Sequence, residues 1–470
     1  METTDSASFT RRVPPGPSSW PLLGNVLDMR AAGDMAAYFD RLWRAHGDTF
    51  RFKLFGTNAL VVTHPEALKQ VLSTRRDRYI KGKIYDTARG MLGQGLVTLD
   101  GDGWKSRRAL AQPAFHRQAL ARLTGIMAHS GARALDELAT RVSAGPLEID
   151  AHREMVKLTL DVVIAALFGV DLLRGADVSY ETLCSAFELM SERGNGVVLP
   201  SWIPTPQNLK FRRTLRELDA IMYSLIDRAR QRTQDDGSLL SMILAAVDAQ
   251  TGKPLARREV RDEVLTLFIA GHETTALTLA WMFSLLDGRP DVLHRMRDEV
   301  DDVLDGRDPT FEDVPKLVYV RQVVEETLRL RPPAPIIPRN AALEDEIDGY
   351  CVTPGDVVFM FFWATHRHPA FWQDAETFDP ERFAPERSKE RHSWSFVPFS
   401  GGPRTCIGNM FALVEASVLV AQMLTRFDFE VLSCEDVKPV AVATMRPSKP
   451  VRVLLRRRVA ARASSSGTQR

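Results

Sequence analysis

Apolar positions recurring three and four apart fill most of the chain between residues 104 and 330, the spacing of helices with a buried face. They predict helices over 104–118, 120–142, 152–168, 179–193, 208–233, 237–249, 257–286, 290–304 and 319–330. At a rise of about 1.5 Å per residue the longest would span roughly 45 Å. Upstream, an amphipathic helix is expected over 34–45, then strands over 49–54 and 59–63 joined by Phe55-Gly56-Thr57-Asn58. A short helix opens at Pro65 and runs to 72. Residues 80–103, rich in glycine and polar side chains, read as one long loop, a feature that is often functional. A second loop, Gly194 to Pro206, is punctuated by proline. Past Pro332 the pattern changes to short strands and turns up to Phe383, then a helix over 410–424 and strands over 427–432 and 451–455. The fold class is therefore mainly α with small β-sheets.

A length of 470 residues alone implies about three domains, but no interior linker or repeat is visible, so one unit over 13–458 is expected. The ends, 1–12 and 459–470, are expected to be disordered. The N-terminus has neither a signal-like apolar region nor a membrane-length one, which predicts a cytoplasmic chain with no transmembrane anchor. Sixty-one basic and sixty acidic residues leave a net charge of +1, which argues against a nucleic-acid partner. The four cysteines are scattered, with no disulfide framework. A monomer is expected.

The most informative stretch runs from Phe396 to Ala412. A glycine-rich loop leads into Cys406, and an apolar helix follows. Backbone N–H groups at such a junction favour a thiolate, which is a metal ligand. Gly401, Gly402 and Gly408 remove side chains where something flat and large would lie against backbone. Arg404 stands ready for an anionic group. No second cysteine is near in sequence, which argues against zinc and iron–sulfur clusters. By itself a cysteine in a glycine-rich turn is usually a small buried residue. The fuller pattern, Phe399-x-x-Gly402-x-Arg404-x-Cys406-x-Gly408, resembles the haem-binding signature of the cytochromes P-450 at every fixed position.

That resemblance implies haem b, with Cys406 as the axial iron ligand, Arg404 on a propionate, Phe399 shielding the sulfur, and Gly408 and Ala412 against the macrocycle. It covers nearly the whole chain, because further motifs follow in the family's order. Glu326-Thr-Leu-Arg329 puts opposite charges on one helix face. With Pro380-Glu-Arg382-Phe383 it resembles the family's buried Glu326, Arg329 and Arg382 network, whose role is structural. Ala270-Gly271-His272-Glu273-Thr274-Thr275 interrupts the long apolar helix, and Gly271 there costs about 1 kcal/mol relative to alanine. It resembles the family's oxygen-activation motif. By resemblance, Thr274 bonds dioxygen, Glu273 relays protons, and Ala270 and Gly271 face the haem. His272 is read as structural. Trp104 and Arg108, four apart on one helix, resemble a propionate-binding pair, and Arg339 a third such position.

The expected fold is the family's triangular prism with its long central helix. The expected reaction is insertion of oxygen from O2 into a lipophilic small molecule, by hydroxylation or epoxidation. Phe268, Ala270, Thr274, Ile336, Ile337 and Met445 are the expected pocket walls. Electrons are expected from a separate ferredoxin and ferredoxin reductase, docking through basic residues such as Lys105 and Arg107. The alternatives are an oxidative coupling or desaturating enzyme of natural-product biosynthesis, and a non-enzymatic haem-thiolate sensor. A sensor would not need Glu273 and Thr274, and a peroxide-driven enzyme usually lacks them.

Overall fold

The 29-residue helix Arg257–Leu285 is the axis of the molecule. Its start is closed by Glu259, whose carboxylate accepts the N–H of Ala256 at 2.8 Å and satisfies a donor the helix cannot. Most of its residues from Val260 to Phe283 are buried, with Ala270, Gly271 and Thr274 among the exceptions. Helices Ala151–Phe168, Pro206–Arg230, Val318–Leu330 and Asn409–Arg426 pack on it. The main hydrophobic core lies among these helices and Arg117–Val142. The computed structural model describes residues 12–169, 203–232, 236–248, 251–432, 434–441 and 443–458. The expected helix over 179–193 and most of the Gly194–Pro206 loop fall outside them. So do the expected disordered ends, except Arg12, whose carbonyl accepts from the N–H of Cys351.

A five-stranded sheet flanks the helical body, in the order Thr49–Leu54, Thr57–Val62, Val357–Phe361, Ile336–Ala341, Tyr79–Ile80. Its second and third strands run parallel, and the other neighbours are antiparallel. Phe39, Phe50, Phe52, Phe359 and Phe361 fill a second core between this sheet and helix Met35–His46. That helix is capped as its sequence predicts. Asp34 accepts from Ala37 N–H at 2.9 Å, and Gly47, at φ +85°, ends it. Among the described residues no helix is long and apolar enough to cross a membrane.

Several expected boundaries move: the helix expected over 104–118 is Gly101–Ala111, and the strand expected over 59–63 begins at Thr57. The loop over 80–103 contains a helix, Asp86–Leu92, ended by Gly93 at φ +63°. Asp86 opens it, and Met91 and Leu92 bury its one apolar edge. The helix expected over 237–249 covers only Leu239–Ala245. Ser238 caps its start. Asp248 then takes the N–H groups of Thr251 and Gly252 into a turn that pairs Val247 with Pro254, so the helix cannot continue.

Candidate active site

The cysteine loop is shaped by protein contacts. The N–H of Cys406 donates to Phe399 O at 2.9 Å, folding the loop back on itself. Gly402 sits at φ +67°, where a Cβ would also run into the carbonyl of Leu72. A Cβ at Gly401 would meet the ring of Trp394. So these two glycines make room for this chain's own backbone and indole, which corrects the expectation that they face a flat ligand. Gly408 does line the cavity, and a Cβ added there would lie 3.7 Å from the ring of Phe115. Gly402→Ala is expected to cost at least about 1–2 kcal/mol for the left-handed backbone alone. A lower thermal unfolding midpoint, together with loss of bound cofactor, checks this.

Between the cysteine loop and the long helix lies a cavity of about 400 Å³. Cys406, Phe399, Gly408 and Ala412 form one wall, and Ala270, Gly271, Thr274, Thr275 and Thr278 the opposite one. These long-helix positions recur at the spacing of one helix face. Thr274 donates to Ala270 O at 2.9 Å and Thr275 to Gly271 O at 3.2 Å, so adjacent hydroxyls back-bond adjacent carbonyls. Burial pushes the Cys406 thiol up from its ordinary value, opposed by the Gly408 N–H and by Arg108.

Four basic side chains rim the cavity: Lys81, Arg108, Arg339 and Arg404. Arg404 binds Asp100 at 2.6 Å and lies 4.4 Å over the ring of Trp104. Arg108 donates to Thr405 O at 2.9 Å, and Arg339 to the Tyr85 hydroxyl at 3.0 Å. Lys81 reaches the carbonyls of Leu96 and Val97. Burial, then the nearby Arg404 and Arg339, push its ammonium down to about 6. Among the described residues Asp100 is the one carboxylate paired with any of the four. Such an excess of positive charge fits a ligand with two acidic arms. Lys81 was missed in the sequence because it stands alone in a stretch read as loop.

Of the expected pocket walls, Ala270, Thr274 and Ile337 line the cavity, whereas Phe268, Ile336 and Met445 do not. Phe268 turns into the main core beside His272. Ile336 and Ile337 are neighbours on a strand and so face opposite sides of the sheet. Met445 is buried, and its carbonyl accepts from Trp281 at 2.9 Å. Glu273 also lies off the cavity wall. It is buried and bound by Arg446 at 2.7 Å and Thr444 at 3.2 Å. Burial raises its carboxyl above the usual range against the pull of Arg446. His272 is buried, its Nδ1 3.0 Å from Phe268 O, and desolvation pushes it down to about 4. Arg107, expected on a docking face, is buried against Glu259 at 2.8 Å and Glu263 at 3.6 Å; Lys105 is exposed.

Behind the cysteine loop, Glu326 and Arg329 are fully buried and joined by two bonds, at 2.7 and 2.8 Å. Arg382 stands 3.5 Å from Glu326. Arg329 also donates to the carbonyls of His366, Ala375 and Thr377. His366, given no role from the sequence, links this network to the loop, because its Nε2 accepts the N–H of Val397 at 3.0 Å. Burial, then Arg329 and Arg367, push it down to about 3, so it is a neutral acceptor.

One sulfur facing an apolar cavity, a rim of basic side chains that one carboxylate only partly offsets, and a helix offering hydroxyls opposite define a haem-thiolate oxygenase pocket. The chain belongs to the cytochrome P450 family, whose model ("Cytochrome P450") matches residues 14–455. It is a P450 monooxygenase. It is 35% identical over 427 residues to the Cyclooctat-9-en-7-ol 5-monooxygenase of Streptomyces melanosporofaciens, covering 87% of this chain and 88% of that one. It is 33% identical to the Pentalenene oxygenase of Streptomyces avermitilis, over 93% and 96% of the two chains. A solved structure of retinoic acid bound cyanobacterial CYP120A1 superposes at a TM-score of 0.85 with 26% identity, covering 96% of this chain and all of that one.

Proposed function

We propose that this enzyme hydroxylates or epoxidises a terpenoid, using haem b, O2, and electrons from a separate ferredoxin and its reductase, in the cytoplasm. The observation that carries the reading is that the sulfur of Cys406 and the hydroxyl of Thr274 share one apolar cavity. The similarity to relatives named for cyclooctat-9-en-7-ol and pentalenene supports the substrate class. Bound there, haem supplies reductive activation of O2.

The chain's own residues do the rest. Cys406 ligates the iron, and Arg108, Arg339 and Arg404 hold the propionates, with Trp104 as a platform for Arg404. Leu96, Val97, Leu239 and Ile337 exclude water and receive an apolar substrate. Thr274 holds a proton at its Oγ1, directed to Ala270 O, and redirects it into the cavity. Glu273 relays a proton from solvent to that hydroxyl only once its carboxylate leaves Arg446 and takes one up.

The test is the absorption difference spectrum of the reduced protein with and without carbon monoxide, followed by titration with cyclic terpenoids. A red-shifted Soret band and a substrate-induced spin shift are expected. Turnover with ferredoxin, its reductase and NADPH should give an oxygenated product. Thr274→Ala should keep the spin shift while lowering product formation about 10²-fold. An unshifted Soret band would refute the haem-thiolate reading, and no response to any terpenoid would refute the substrate class.

A further inference from the structure

Helix Asn409–Arg426 buries one ionisable side chain, Glu415, which has 0% of its surface exposed; the other buried polar groups of the helix are the neutral Ser417 and Gln422. The Oε2 of Glu415 lies 3.0 Å from Thr275 Oγ1, on the long helix. Its Oε1 has no hydrogen-bond partner. Arg117–Val142, Arg257–Leu285, Pro290–Leu304 and Val318–Leu330 pack against this helix. No charged side chain from any of them pairs with Glu415; Thr275 is the group that meets it. The contact joins the helix that follows Cys406 to the helix that presents Thr274.

Counting protons decides the state of this contact. Thr275 has one hydroxyl hydrogen and two acceptors within reach, Gly271 O at 3.2 Å and Glu415 Oε2 at 3.0 Å. An ionised Glu415 takes that hydrogen, strips Gly271 O of its second bond, and leaves a full negative charge buried without a cation. A protonated Glu415 donates from Oε2 to Thr275 Oγ1, and Thr275 donates on to Gly271 O. Each hydrogen then has one acceptor.

From this geometry we infer that Glu415 is a positioning residue that works as a neutral carboxylic acid, pinning the Gly271–Thr275 turn of the long helix to the cysteine helix. The role rests on the haem-thiolate reading of the cavity; the protonation does not. Burial is the dominant cause pushing this carboxyl up, to about 8, against the Thr275 bond. A folded-state value above the unfolded one stabilises fully below about 4.5, and that stability is lost as pH rises to about 8.

The experiment compares wild type with Glu415→Gln, whose amide N–H replaces the acid proton. The infrared difference spectrum at pH 7 should show the carbonyl stretch of a protonated carboxyl group, lost in Glu415→Gln. In wild type alone the same band should fade as pH rises through about 8, which keeps the test open if the variant does not fold. The unfolding midpoint of Glu415→Gln should gain on wild type between pH 5 and 8 and level off above. The low-spin spectrum should survive in Glu415→Gln and change in Glu415→Leu. Absence of the carboxyl band at pH 7 overturns the inference, as does a Glu415→Gln spectrum that departs from wild type while Glu415→Leu retains it. A missing carbon monoxide band would instead sink the haem reading and leave the infrared result standing.

Discussion

Cys406→Ser should give a folded protein with no red-shifted carbon monoxide band and no measurable oxygenation. The fold survives because the loop is held by groups this change leaves alone. The backbone N–H of residue 406 still reaches Phe399 O, and Gly402 keeps its left-handed turn against Leu72. The lost group is the sulfur, which faces the cavity beside Gly408 N–H and Arg108. A serine hydroxyl ionises far less readily than a thiol, and burial resists charge at this position even for the thiol. Removing groups that only orient a metal ligand typically costs 10–100-fold in affinity or activity, roughly, so removing the ligand should exceed about 100-fold. The checks are the carbon monoxide spectrum and haem content per chain. A red-shifted band persisting in Cys406→Ser would place the ligand elsewhere and undo the site.

The chemistry of this site was legible in the sequence wherever it is local. Phe399, Arg404, Cys406 and Gly408 lie within ten residues, and Glu326 and Arg329 are one helical turn apart, so spacing alone brings them together. The helix 290–304 was legible for the same reason: Pro290 starts it, and the apolar period runs unbroken to Leu304. What was not legible depends on long-range packing. Whether Glu273 faces the cavity or Arg446 is set by a strand 173 residues further on. Arg107 read as a surface cation until the long helix supplied Glu259 and Glu263. The roles proposed for Gly401 and Gly402 failed because the atoms that crowd them, Trp394 and Leu72, come from elsewhere in the fold. Glu415 did leave a trace, a lone carboxylate inside the apolar run over 410–424. Nothing in the sequence said that Thr275 would meet it.

Arg329→Ala is expected to cost about 3–5 kcal/mol, since it strands a fully buried Glu326. Against a total stability of about 5–15 kcal/mol, that leaves little folded protein. A bare buried ion pair is often replaceable by apolar side chains of similar volume without loss. This one should not be. Arg329 also satisfies the carbonyls of His366, Ala375 and Thr377, and Glu326 accepts the N–H of Asp379 at 2.9 Å. An apolar double variant, Glu326→Leu with Arg329→Met, leaves those backbone groups unpaired and takes from Arg382 its buried carboxylate neighbour, so it should be no more stable than Arg329→Ala. Arg329→Lys keeps the charge but not the planar fork that reaches the carboxylate and three carbonyls at once, and should fall between wild type and alanine. The damage should spread to the site, because the His366 whose carbonyl binds Arg329 also holds Val397, nine residues before Cys406. Chemical denaturation and haem retention, measured on all three variants, check the order. An apolar double variant as stable as wild type would show that the network serves only its own charges and does not brace the loop that carries the cysteine.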